Sequence, residues 1–153
     1  MKAMMMASEL VDINDDDCLL RLISEKHVNE CKDKDGNGSW RLTTAMFQCS
    51  SLSDGESRST MSVNIKKLIE EAKLNPRTFM ISGSYVGVIS FSAGNVRKEG
   101  MEAIHDPIAD NRYHGGVFST KRSDGRLSGS QKSYLTRIAN LLTGPEGYKS
   151  KDA

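Results

Sequence analysis

Apolar positions along this chain fall into short alternating runs more often than into helical stripes. The densest run, Tyr85 to Phe91, is β-branched and aromatic, bounded by Gly83 and Gly94, and too short for a solitary helix. It predicts a strand with Tyr85, Gly87, Ile89 and Phe91 on one face and Val86, Val88 and Ser90 on the other. Both faces are apolar or small, so the strand is expected inside a sheet, covered on both sides. Gly87 has no side chain to pack there, which predicts a bulge or a close backbone approach. Cys18 to Ser24 alternates in the same way and predicts the first strand of the core. Met101 to His105 predicts a further strand, stopped by Asp106-Pro107 because proline donates no amide hydrogen. Tyr113 to Thr120 reads as another strand, Trp40 to Phe47 alternates like one, and Met61 to Val63 is short but extended in character. Ala93-Gly94-Asn95 reads as a turn.

Two stretches carry helical spacing instead. In the first, Asn64 is the expected cap, Ile65, Leu68, Ile69 and Ala72 form the buried stripe, and Asn75-Pro76 stops it. In the second, Ser128 or Ser130 caps a helix with Leu135, Ile138, Ala139 and Leu142 at core spacing, and Gly144-Pro145 ends it. Strands and helices that do not alternate strictly describe an α+β domain. The expected fold is a single curved sheet of five to six strands, mixed or mostly antiparallel, with two packed helices. Its expected span is residues 18–147, between an acidic, flexible N-terminus (1–17) and a frayed C-terminus (148–153).

Composition narrows the function classes. With 153 residues and a formal net charge of +1, the chain has no strong overall attraction to nucleic acid or membrane. The first residues lack the apolar core and cleavage site of a secretory signal, and no run approaches the ~20 apolar residues of a membrane helix. Cys18, Cys31 and Cys49 are odd in number, widely spaced and without a C-x-x-C pair. Reduced thiols, a cytoplasmic setting and no structural metal follow as expectations, and nothing in the spacing requires a cofactor. P-loop, G-x-G-x-x-G, helix-turn-helix and zinc-finger patterns are absent. Gly83-Ser-Tyr-Val-Gly87 has the wrong spacing for a nucleophile elbow.

Several residues nonetheless stand out chemically. Asp33-Lys-Asp-Gly-Asn-Gly38 matches the opening of an EF-hand loop, but the twelfth position is Thr44 where a bidentate glutamate belongs, so a polar turn is expected. Arg21 is a guanidinium inside an apolar strand. It is expected either to pair with a carboxylate such as Asp106 or to hold a phosphate or carboxylate at the base of a cleft. His105, Asp106 and His114 lie at the facing ends of two strands joined by a loop of moderate length. Two imidazoles and a carboxylate brought together there could supply a general acid and base. Lys121, Arg122, Arg126, Lys132 and Arg137 form a basic loop and helix start through which nucleic acid could bind, although Tyr134 is the only aromatic among them. Arg21 on a first strand, followed by Phe47 to Ser51 and Ser57 to Thr60, resembles the layout of ADP-ribosyltransferase-like domains. The Ser-Thr-Ser element of that family is scrambled here, and no late strand offers its glutamate.

Two functions from different classes fit these observations. The first is a small cytoplasmic interaction or accessory module that docks to a protein partner without chemistry of its own. The alternative is a small hydrolase or transferase acting on a nucleotide, NAD or nucleic acid through Arg21, His105, Asp106 and His114.

Overall fold

A computed structural model describes residues 10–30, 40–50 and 58–144. Six strands form one antiparallel sheet: β1 (Cys18–Ser24), β2 (Met61–Ile65), β3 (Tyr85–Ser92), β4 (Met101–His105), β5 (His114–Ser119) and β6 (Asn140–Thr143). Their order across the sheet is β4-β5-β2-β1-β3-β6, so the first strand of the chain lies near the middle. Four α-helices accompany it among the described residues: α1 (Glu25–Glu30), α2 (Lys66–Glu71), α3 (Ala93–Lys98) and α4 (Gly129–Ile138). The fold is α+β, as the patterning predicts.

The alternation within each strand sorts side chains onto two faces. On one face Leu19, Ile23, Val63, Ile65, Ile89, Phe91 and Val117 join Trp40, Met46, Phe47 and Leu135 in the main core. Phe47 meets Phe91 edge-on at 6.5 Å, an arrangement aromatic quadrupoles favour. On the other face a smaller cluster gathers Leu20, Ile69 and Val88 with Phe79, Ile81, Tyr113 and Leu142. Gly87 sits where the sequence places a close approach: a Cβ there would lie 2.5 Å from the Thr143 carbonyl oxygen. The β3–β6 register shifts immediately beside it, between Val88 and Ile89.

Four local expectations are corrected. Asn64 lies within β2, paired with Leu20 and His114, and caps nothing; α2 begins only at Lys66. Ala93-Gly94-Asn95 opens α3 because the Ser92 side chain accepts the Asn95 N–H and so satisfies an orphan donor. Trp40 to Phe47 contributes a 3₁₀ turn at Thr44–Met46 that covers the main core. The last helix keeps its start, where Ser128 and Gln131 form a reciprocal capping box, but ends at Ile138. Leu141 and Leu142 then pack into opposite clusters, which only a strand can arrange.

From Leu10 onward the acidic segment is tied to the domain, where a flexible N-terminus extending to residue 17 is expected. Ile13 is buried, Arg97 bonds the Ile13 carbonyl and the Asp15 carboxylate, and Lys67 reaches both Asp17 (2.8 Å) and the Asp12 carbonyl. Burial pushes the Asp17 carboxyl up, but the Lys67 hydrogen bond, the Asn14 N–H and the charges of Lys67 and Arg97 outweigh it and hold it below 3.8. A carboxyl lowered in the folded state stabilises above its unfolded value and loses that contribution as pH falls through the lowered value. Asp17→Asn is therefore expected to lower stability by about 1 kcal/mol near neutral pH and by progressively less as the pH is taken down below the ordinary carboxylate range, as read from urea unfolding across that range.

Candidate functional site

β1 pairs with β3 along its whole length, from Cys18↔Ser92 to Ser24↔Tyr85, but with β2 only at Leu19↔Ile65 and Leu20↔Asn64. Beyond Leu20 the two strands splay. Main-chain groups of Arg21 to Ile23 that face β2, and those of Ser62 and Val63 that face β1, lose their ladder partners there. A cleft of about 440 Å³ opens over this split, on the face of Leu20, Asn64 and His114. Its walls come from β1, β2, the start of β5, the segment before β3 and the loop between β4 and β5.

Arg21 stands at the split. Its Nε–H donates to the Met46 carbonyl at 2.7 Å and its Nη1 to the Ser62 carbonyl at 2.8 Å, so the side chain spans the gap the ladder has left. No carboxylate pairs with it among the described residues; Asp106, the partner expected on structural grounds, does not fill that role. Burial pushes the guanidinium down to about 10, with only Cys49 and Tyr85 pulling it back up. Near neutral pH it is a charged group in a desolvated place, held among the described residues by two carbonyl dipoles. Arg21 alternates with Leu20 and so leaves β1 on the main-core side with Leu19 and Ile23; with five N–H donors and two carbonyl partners, it keeps hydrogen-bonding capacity at the gap between the strands, over which the cleft opens.

The two sequence-predicted histidines have different fates. His105 is buried and both ring nitrogens are engaged: Nδ1 accepts the Val11 N–H at 3.0 Å and Nε2 donates to the Arg112 carbonyl at 2.8 Å. It fastens the N-terminal segment and does not line the cleft. His114 does line it. Its Nδ1 lies 2.8 Å from the Asp106 main-chain carbonyl, which can only accept, so Nδ1 carries the hydrogen. In the neutral ring the lone pair is then on Nε2. Asp106 thus holds this histidine through its backbone oxygen.

The patterning misses the rest of the site. His27 enters from α1, which starts where the Ser24 hydroxyl accepts the His27 N–H. Asn64 and Asn111 bond each other at 2.7 Å in the cleft wall, across 47 residues of sequence. Tyr85, Met80 and Ile108 are 39%, 43% and 36% exposed, three of the five exposed large apolar side chains among the described residues, and all three line this cleft. Met80 takes a positive φ of 61°, a strained conformation for a residue with a Cβ, with its sulfur 3.8 Å from Asn111 Nδ2. Asp110 supplies an exposed carboxylate to the lining.

The basic group lies elsewhere. Arg122 pairs with Asp124, Lys132 bonds Gln48, and Arg137 stacks over Tyr134 on a helix that packs against the main core, across the sheet from Asn64 and His114. Among the described residues no three His, Cys, Asp or Glu side chains gather as a metal site, and the EF-hand-like stretch lies outside those residues. No described helix is long and apolar enough to cross a membrane. Comparison with protein-family models, characterised proteins and solved structures finds no match for this chain.

Proposed function

We propose that the chain binds an anionic small molecule of nucleotide type in the split between β1 and β2, and acts on it as a small hydrolase or transferase in the cytoplasm. The observation that carries this reading is Arg21, a desolvated cation without a carboxylate partner among the described residues, on the wall of a cleft. A buried charge is costly unless something compensates it, and a ligand phosphate or carboxylate would do so with a charge-assisted, forked hydrogen bond. The exposed rim of Tyr85, Met80 and Ile108 suits a planar ring attached to that anion. His114, with Nδ1–H committed to the Asp106 carbonyl, is placed to take a proton at Nε2 from a water or a hydroxyl that attacks the bound ligand. A docking module without chemistry leaves both Arg21 and the cleft unexplained.

The test is thermal unfolding with inorganic phosphate, AMP and NAD. At about 100 times the dissociation constant a ligand adds about 2.7 kcal/mol, which for a chain of this size is a rise of roughly 5–11 °C. His114→Ala is expected to retain that rise while losing turnover of whichever phosphate ester the wild type consumes. No rise with any of the three would sink the reading.

A further inference from the structure

Asn64 and Asn111 form an amide pair whose orientation is dictated by the main chain. The Tyr113 N–H donates to the Asn111 side chain at 3.0 Å, and an N–H needs an oxygen to receive it, so that atom is Oδ1. The opposite end of the Asn111 amide is therefore Nδ2, which lies 2.7 Å from the Asn64 side chain and 3.8 Å from the Met80 sulfur. A nitrogen donor must in turn meet an oxygen, so Asn64 directs Oδ1 at Asn111. That leaves both N–H groups of Asn64 Nδ2 without a partner among the described residues, although Asn64 is only 6% exposed. Asn64 lines the cleft, and its register partners on either side are Leu20 and His114, whose side chains share its face.

We propose that Asn64 reads the ligand of this cleft as a donor only, selecting a carbonyl (oxo) oxygen over an amino group on the ring that accompanies the anion. The inference rests on the anion-binding reading of Arg21 and adds the class of group at the ligand's other polar edge. An unconstrained asparagine could serve either kind of edge by turning its amide over. Here the turn is blocked. It would set the nitrogens of Asn64 and Asn111 against each other, and Asn111 cannot follow because the Tyr113 N–H would then face a nitrogen. A donor that a bound ring shields from water and leaves without an acceptor rejects the wrong group more firmly than a loose fit does, and this donor has no other partner among the described residues.

Matched nucleotides test this directly. IMP and AMP differ by an oxo-for-amino exchange on the same ring, as do UMP and CMP, and each offers Arg21 the same phosphate. Titration calorimetry of the full chain is expected to show the oxo member of a pair binding about 10-fold more tightly. Asn111→Asp should invert that preference. Its carboxylate still accepts the Tyr113 N–H with one oxygen, while the other now draws the Asn64 amide round and presents Asn64 Oδ1 to the cleft. Asn64→Asp is the second variant: it keeps an oxygen toward Asn111 and removes the donor, so the oxo preference should disappear. Equal affinities within both pairs in the wild type would overturn this inference and leave the anion site standing. Binding of none of the four would remove both. An oxo preference that survives Asn64→Asp or Asn111→Asp in a folded variant would assign the selectivity to another group and overturn the proposal.

Discussion

Replacing Arg21 by methionine is expected to weaken phosphate-ligand binding at least about 30-fold while the protein still folds. The loss follows from removing a desolvated cation that meets the ligand's charge, a truncation that costs about 2–5 kcal/mol at buried charged contacts. Folding survives because two effects oppose each other. The variant gives up two hydrogen bonds, to the Met46 and Ser62 carbonyls, and also the burden of a charge that burial disfavours. A linear side chain of similar length keeps the packing against both strands. The wild type offers a second check from pH. With the guanidinium brought down to about 10, anion affinity should hold below that value and fall as pH rises through it, where an ordinary arginine would stay charged. Arg21→Lys should be intermediate, since one ammonium cannot serve two carbonyls and a ligand with a planar fork. Wild-type affinity in Arg21→Met would remove the anion site altogether.

Gly87→Ala is expected to cost about 3 kcal/mol, a fall in melting temperature of roughly 6–12 °C. The added carbon would lie 2.5 Å from the Thr143 oxygen and 2.8 Å from the Gly144 Cα, both backbone atoms that no rotamer change can move aside. β6 must shift as a unit, or β3 must bend at the position where its register with β6 already slips. Amide exchange should accelerate first at Asn140–Thr143, an edge strand bonded only to β3. Gly129→Ala is the matched control: nothing lies within 4 Å of its would-be Cβ, in the first turn of α4, so the same chemical change should be neutral or slightly stabilising. Equal effects at the two positions would mean that lost chain entropy, and not backbone contact, governs both.

Where the fold was legible, local chemistry sufficed. The strands Cys18–Ser24 and Met101–His105 follow from alternation and from Pro107, and the start of α4 from a capping serine, with Ser128 rather than Ser130 filling that place. Expectation failed where two local meanings coincide. Leu135, Ile138, Ala139 and Leu142 satisfy a helical period, yet Leu142 belongs to a two-sided strand, and only the pairing with β3 decides between them. Asn64 looks like a cap because an apolar stripe follows it, whereas the sheet continues through it to Ile65. Arg21 declared itself as the one charge in an apolar strand. His105 and His114 were indistinguishable in sequence. Their difference lies in hydrogen bonds to Val11, Arg112 and Asp106, and the Asn64–Asn111 pair likewise depends on a register that no local pattern encodes.

The position of β1 near the middle of the sheet also bears on how the chain acquires its shape during synthesis. Both neighbours of β1 come later in the sequence, β2 at Met61–Ile65 and β3 at Tyr85–Ser92. A nascent chain therefore carries Leu19, Leu20 and Ile23, all buried at the end, without any strand partner until β2 has emerged at Ile65, and Ile23 without one until β3 follows. At roughly 5–20 residues per second that exposure lasts seconds, and the long loops to be closed place folding in the slow, millisecond-to-second class of sheet proteins. Aggregation of the newborn chain, more than unfolding of the finished one, is where pressure on Cys18–Ser24 should be felt, and chaperone capture of ribosome-bound fragments ending before β3 is its expected sign.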